Sequence, residues 1–139
     1  MLAREGEGWR LAWDAQRHAF PLLIGGEGWA TELTATEGQA LLKAIRDLRA
    51  QHAALVDSLM EEETIALEHT ASVLPASGGE ETGELWVALE GDRSVWSLRF
   101  VLQPPAGKRG LEGAWGEGAA EAFARACAGL EDAAAAHGG

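Results

Sequence analysis

Trp9, Leu11 and Trp13 alternate with Arg10 and Ala12, the period-two pattern of a strand with one buried face. Past a polar connection, Phe20 to Ile24 forms a short apolar run, glycines follow, and Trp29, Thr31 and Leu33 alternate again. These two pieces read as strands joined at a tight bend. Thr34 and Glu37 then fit the S/T-x-x-E capping box, in which each side chain satisfies a free backbone N–H at the start of a helix. Leu41, Ile45, Leu48, Leu55 and Leu59 follow at helical spacing, His52 fills the missing step, and Leu42 and Val56 widen the stripe. The pattern predicts a helix from Thr34 to about Met60, about 39 Å long, enough to cross a whole sheet.

The second part alternates again in Thr64-Ile65-Ala66-Leu67-Glu68-His69, and the Pro-, Gly- and Ser-rich segment from Ala71 to Gly83 reads as a loop. The strongest hairpin signal is Glu84 to Gln103. With Asp92 and Arg93 as its turn, Leu89 lies opposite Trp96, Val87 opposite Leu98 and Leu85 opposite Phe100, so one face is wholly apolar. On the other face Ala88 meets Ser97 and Trp86 meets Arg99. The Pro104-Pro105-Ala106-Gly107-Lys108 segment predicts a turn, Leu111 and Trp115 the inward side of a last strand, and Phe123, Cys127, Leu130 and Ala134 a closing helix that frays after Asp132. Strands, long helix, four shorter strands and helix make an α+β domain over residues 1–139. Its pseudo-repeat halves are about 1–62 and 63–139, although their sequence likeness is only Gly-Glu-Gly-Trp against Leu-Glu-Gly-Ala-Trp.

Charge narrows the partners. The chain has 139 residues, 22 acidic and 11 basic, for a net charge of -11. Eleven acids stand against six bases through Glu63 and eleven against five beyond it, so the acidity is no tail. Such a field repels polyanions, and affinity for nucleic acid comes largely from Lys and Arg at phosphates. Nucleic acid and anionic membrane are therefore disfavoured. No apolar run reaches the roughly 18 residues of a membrane helix, and the Met1 to Trp9 stretch lacks the basic and apolar regions of a signal peptide. These features, with a single cysteine, predict a cytoplasmic protein in a reducing compartment.

Candidate chemistries are few. The two Gly-Glu-Gly-Trp copies, Gly6 to Trp9 and Gly26 to Trp29, lead into strands and carry no lysine. A phosphate loop needs glycines that open a helix, so these glycines are read as shaping the chain. Glu61, Glu62 and Glu63 with Glu68 and His69 gather possible metal ligands, but no ligating spacing is present. Three glutamates at a helix C-terminus also oppose its dipole, which assigns them to the lead into the next strand or to a cationic partner. His52 on the helical stripe reads as a hydrogen-bonded core residue, Cys127 as a small buried hydrophobe, and no nucleophile motif occurs. Neither cofactor nor metal is expected. Trp86 with Arg99 is the candidate recognition surface, since an aromatic ring and a guanidinium can anchor a protein or stack on a base. Cover by the long helix or by a second copy of the chain is the reading preferred over nucleic acid.

Several stretches carry a resemblance: Glu5 to Asp14, Leu23 to Thr34, the helix end Leu59 to Glu68, Leu85 to Gly91 with Trp96 to Gln103, and Glu112 to Trp115. In order along nearly the whole chain, these resemble a cyanobacterial family classed as domain of unknown function 1818. The resemblance implies a fold similar to the Whirly and positive-cofactor-four group of single-stranded-DNA-binding regulators, four strands and a helix occurring twice. It implies no activity, and the lysine-rich DNA-holding motif of Whirly proteins has no counterpart here. The expectation is a non-enzymatic interaction protein, monomer or homodimer, that binds a protein partner. The alternatives are a single-stranded nucleic-acid binder and an enzyme with a dispersed site.

Overall fold

In the computed structural model the described residues are 1–75, 81–105 and 109–138, with side chains described through Asp132. The chain runs through four strands, a helix, four strands and a second helix. β1 (Leu2–Gly6), β2 (Trp9–Trp13), β3 (Leu22–Gly26) and β4 (Trp29–Leu33) form one antiparallel sheet in sequence order. After α1 (Ala35–Leu55), strands β5 (Ile65–Val73), β6 (Gly83–Gly91), β7 (Trp96–Gln103) and β8 (Leu111–Trp115) form the other, and α2 (Ala119–Gly138) closes the chain. This is the α+β architecture that the periodicities predict. β1 carries no such periodicity, because it is an edge strand whose side chains are mostly exposed.

Each Gly-Glu-Gly-Trp copy is a two-residue hairpin loop, with Gly6 paired to Trp9 and Gly26 to Trp29. Gly8 and Gly28 take φ of 80° and 79°, while the glutamates before them stay at negative φ, the signs of a type II turn with glycine in its second position. The first glycine of each copy has a different task. A Cβ on Gly6 would lie 2.8 Å from Trp9 Cε2, and one on Gly26 2.6 Å from Trp29 Cε2. Each indole thus folds flat across the glycine opposite it, which a side chain there would prevent.

At the start of α1, Glu37 N–H donates to Thr34 Oγ1 at 3.2 Å and Thr34 N–H donates to Glu37 Oε1 at 2.9 Å, completing the capping box. The helix is shorter than its stripe. It ends at Leu55, after about 31 Å, and a 3₁₀ turn, Val56–Ser58, follows. Valine, aspartate and serine in succession are weak helix formers, two of them because their side chains compete for the backbone. Leu55 is consequently 41% exposed, and Leu59 returns to the interior from outside the helix. Glu61 to Glu63 lie beyond that turn, where they no longer oppose the dipole of α1. The last helix continues past Asp132 to Gly138; alanine is the strongest helix former. The predicted loop from Ala71 is corrected as well: β5 continues to Val73 and β6 begins at Gly83, while 76–80 and the Ala106 to Lys108 part of the predicted turn lie outside the described residues.

The β6–β7 hairpin corrects the expected register. Its loop is four residues, with Gly91 opposite Trp96, Leu89 opposite Leu98, Val87 opposite Phe100 and Leu85 opposite Leu102. A two-residue loop of Asp92 and Arg93 would have to supply the positive φ of a primed turn without a glycine. Instead the Asp92 carboxylate accepts from Ser94 N–H at 2.8 Å and Val95 N–H at 2.9 Å. Those two donors hold its pKa below the ordinary carboxylate value. The register moves by two positions, so every side chain keeps its face.

Both sheets and both helices share one apolar core. α1 packs on β5 and β6 from the side that carries Leu85, Val87 and Leu89, and α2 packs on β1, β2, β7 and α1. Replacing Thr34 by alanine removes the cap acceptor and should lower stability by about 1 kcal/mol. Urea unfolding should show a lower midpoint at unchanged slope, and an unaltered midpoint would contradict the capping role.

Candidate functional site

The side of the second sheet away from α1 carries Trp86 and Ala88 on β6, Arg99 and Val101 on β7, and Glu112 and Ala114 on β8. Across the strands, Thr70, Trp86, Val101 and Glu112 stand in one row, and Glu68, Ala88, Arg99 and Ala114 in the next. Trp86 is therefore opposite Val101, and Arg99 opposite Ala88, where the sequence predicted Trp86 directly opposite Arg99. The two still meet. With alanine on either side of it, Arg99 reaches diagonally across the sheet, and its Cζ lies 5.1 Å from the centre of the Trp86 ring, inside cation–π range. Trp86 is half-buried and Arg99 exposed.

The long helix, one of the two covers expected, does not lie over this pair. Leu41, Ala44, Ile45 and Leu48 of α1 share the core with the opposite side of β6 and β7. His52 marks the same side, its ring 5.9 Å from that of Trp96. One ring nitrogen of His52 donates to Asp92 O at 2.9 Å, so this buried imidazole ties α1 to the β6–β7 loop and is the core histidine that the sequence indicated.

What borders the pair is the β3–β4 hairpin. Glu27 and Trp29 join Trp86, Arg99, Val101 and Glu112 around an open groove of about 620 Å³. Trp29 is held there by its indole N–H, which donates to Ala114 O at 3.2 Å, and by its ring, 5.3 Å from Trp115 and 5.9 Å from Phe100. In return Trp115 Nε1–H donates to Gly25 O at 2.8 Å in a buried position. Trp115 also stacks on Phe123 with centroids 4.1 Å apart and planes 15° apart. Gly113 makes the approach of Trp29 possible: a Cβ there would stand 2.7 Å from Trp29 Cη2 and 2.8 Å from Phe100 Cε1.

Sequence reasoning did not place Trp29, Glu27 or Glu112 at this site. The one signal available was Gly113, a glycine inside a strand, which marks a place where another group comes close. The remaining candidates stay apart. Among the described residues no three His, Cys, Asp or Glu side chains are placed to hold a metal ion, Glu61 to Glu63 with Glu68 and His69 included. Cys127 is 1% exposed; burial, with Glu131 adding to it, pushes its thiol pKa up, and a nucleophilic thiolate needs the opposite shift.

The fold built on these contacts recurs in known proteins. Residues 4–130 match a family described as a domain of unknown function, DUF1818. The chain belongs to that family. Among solved structures, this DUF1818 chain is similar to a protein of unknown function from Prochlorococcus sp. NATL2A, described as belonging to the DUF155 family. The two share 30% identity at a TM-score of 0.76, over 94% of this chain and 98% of that one. No curated protein matches the DUF1818 chain, and no helix among its described residues is long and apolar enough to cross a membrane.

Gly113→Ala should destabilise the protein by about 1 to 3 kcal/mol, because the added methyl meets two ring edges inside packed structure. Combining it with Trp29→Phe, which replaces the indole by a smaller ring and so draws back the Cη2 edge that occupies the space, should recover part of the loss. Additive unfolding energies in this double-mutant cycle would contradict the proposed contact.

Proposed function

We propose that this protein is a non-enzymatic, cytoplasmic interaction module of a cyanobacterium, and that it docks a protein partner on the open side of its second sheet. The observation that carries this reading is the Arg99 guanidinium resting 5.1 Å from the Trp86 ring centre on a side that neither helix covers. Tryptophan and arginine are the residue types that dominate binding energy at protein interfaces. Here the half-buried ring orients the exposed guanidinium through their cation–π contact, which reduces the ordering cost of binding. The groove beside them gives a partner's side chain a recess to fill.

A second reading draws on the same pair. The Whirly-like fold implied by the resemblance, with an aromatic ring on a sheet face, suits stacking of single-stranded bases at about 1 to 3 kcal/mol each. Against it stands the net charge of -11, which leaves few cations to offset phosphate. The protein-partner reading is preferred for that reason.

The test is quantitative capture from an extract of cells that express the protein, comparing wild type with Trp86→Ala and Arg99→Ala after circular dichroism confirms the fold of each. One protein should be retained by the wild type and, once purified, bind Trp86→Ala with a Kd roughly 30-fold higher, the effect of losing about 2 kcal/mol at an anchor. Equal retention by wild type and both variants contradicts the reading, and binding of a fluorescent oligonucleotide at low salt replaces it with the nucleic-acid alternative.

A further inference from the structure

The open side of the second sheet is strongly one-signed. Glu68 on β5, Glu84 and Glu90 on β6 and Glu112 on β8 all point to it, since each occupies the strand phase of Trp86 and Arg99. Glu27 adds a fifth carboxylate from the β3–β4 turn at the rim of the groove. All five are exposed. Every ion pair among the described residues lies elsewhere, on Glu5, Glu32, Asp47 and Glu131. The groove has one lining cation, Arg99, and the Trp86 ring already occupies it.

We infer that the occupant of this side is a lysine- or arginine-rich segment of a partner protein. This rests on the interaction reading above and adds the chemistry of the partner. Carboxylates with no ion pair among the described residues, Glu27 and Glu112 of them lining the groove, raise the local concentration of cations, while Trp29 and Trp86 in the same lining give apolar surface to the aliphatic stem of a lysine or arginine. The same arithmetic argues against a second copy of the chain. A two-fold contact through this side would set five carboxylates and one guanidinium against an identical set, and like charges in apposition oppose association. Polyanions meet the same field.

The test uses the whole protein and two short fluorescent peptides, one alternating arginine with alanine and one alternating glutamate with alanine, followed by anisotropy at low ionic strength. The basic peptide should bind, and binding should weaken as salt rises. Glu27→Gln combined with Glu112→Gln should weaken it about fivefold or more. Glu7→Gln combined with Asp132→Asn makes the same change in net charge away from the groove and should leave the affinity within about twofold. Equal weakening by the two double variants overturns the inference, because net charge alone would then explain the binding. Preference for the acidic peptide, or a dimer in sedimentation equilibrium that Arg99→Glu disrupts, overturns it as well. Either result leaves docking through Trp86 standing, whereas loss of the cellular partner's dependence on Trp86 removes that reading itself.

Discussion

The indole of Trp115 has its N–H on the carbonyl of Gly25, 90 positions earlier in the chain, and its ring against Phe123, Phe100 and Trp29. With its own, five rings from β2, β4, β7, β8 and α2 meet here, the last contact being Trp9 edge-on to Phe123. An aromatic side chain that buries its ring must still find a partner for its polar atom, and here that partner belongs to the other sheet. The hydrogen bond from Trp29 to Ala114 O runs in the opposite sense, from the first sheet to the second. Two separate meanders are thereby joined where the end of the β3–β4 hairpin meets β8, and the Ala114 carbonyl on the edge strand β8 is given a donor.

From this constraint the site follows. Because Trp29 must reach β8, its hairpin turn lies at the rim of the second sheet and brings Glu27 with it, so a flat sheet face becomes a groove. Because α2 supplies Phe123 to the same cluster and α1 packs beside it, both helices are committed to the inner side. The outer side is left to Trp86, Arg99 and the glutamates. An acidic surface with the Trp86–Arg99 pair beside a groove is the consequence of where the two sheets join.

Much of this was legible locally. The capping box at Thr34, the apolar side of β6 and β7, and the inward Trp115 depend on neighbours in sequence, and a period of two or 3.6 reports them faithfully. The shared side of Trp86 and Arg99 survived even a register error, because a shift of two positions preserves the face of every residue. What escaped was set elsewhere. The Asp92 carboxylate lengthened a loop by capping two N–H groups; Val56, Asp57 and Ser58 stopped a helix whose stripe ran on to Leu59; β1 is an edge strand with only Leu2 packed against the core and leaves no alternation. Glu27 and Glu112 meet at the groove only because Gly113 admits a ring from the other sheet, a coincidence of two distant glycine motifs that no local pattern contains.

Hydrogen exchange of the indole N–H groups, followed by NMR in native buffer, tests the joint most directly. If the sheets are one cooperative body closed at this seam, the Trp115 indole proton exchanges only through global unfolding, at the free energy shared by the slowest amides of both sheets. Rapid exchange of that proton, or protected amides that divide into two sheets with separate opening energies, would contradict it.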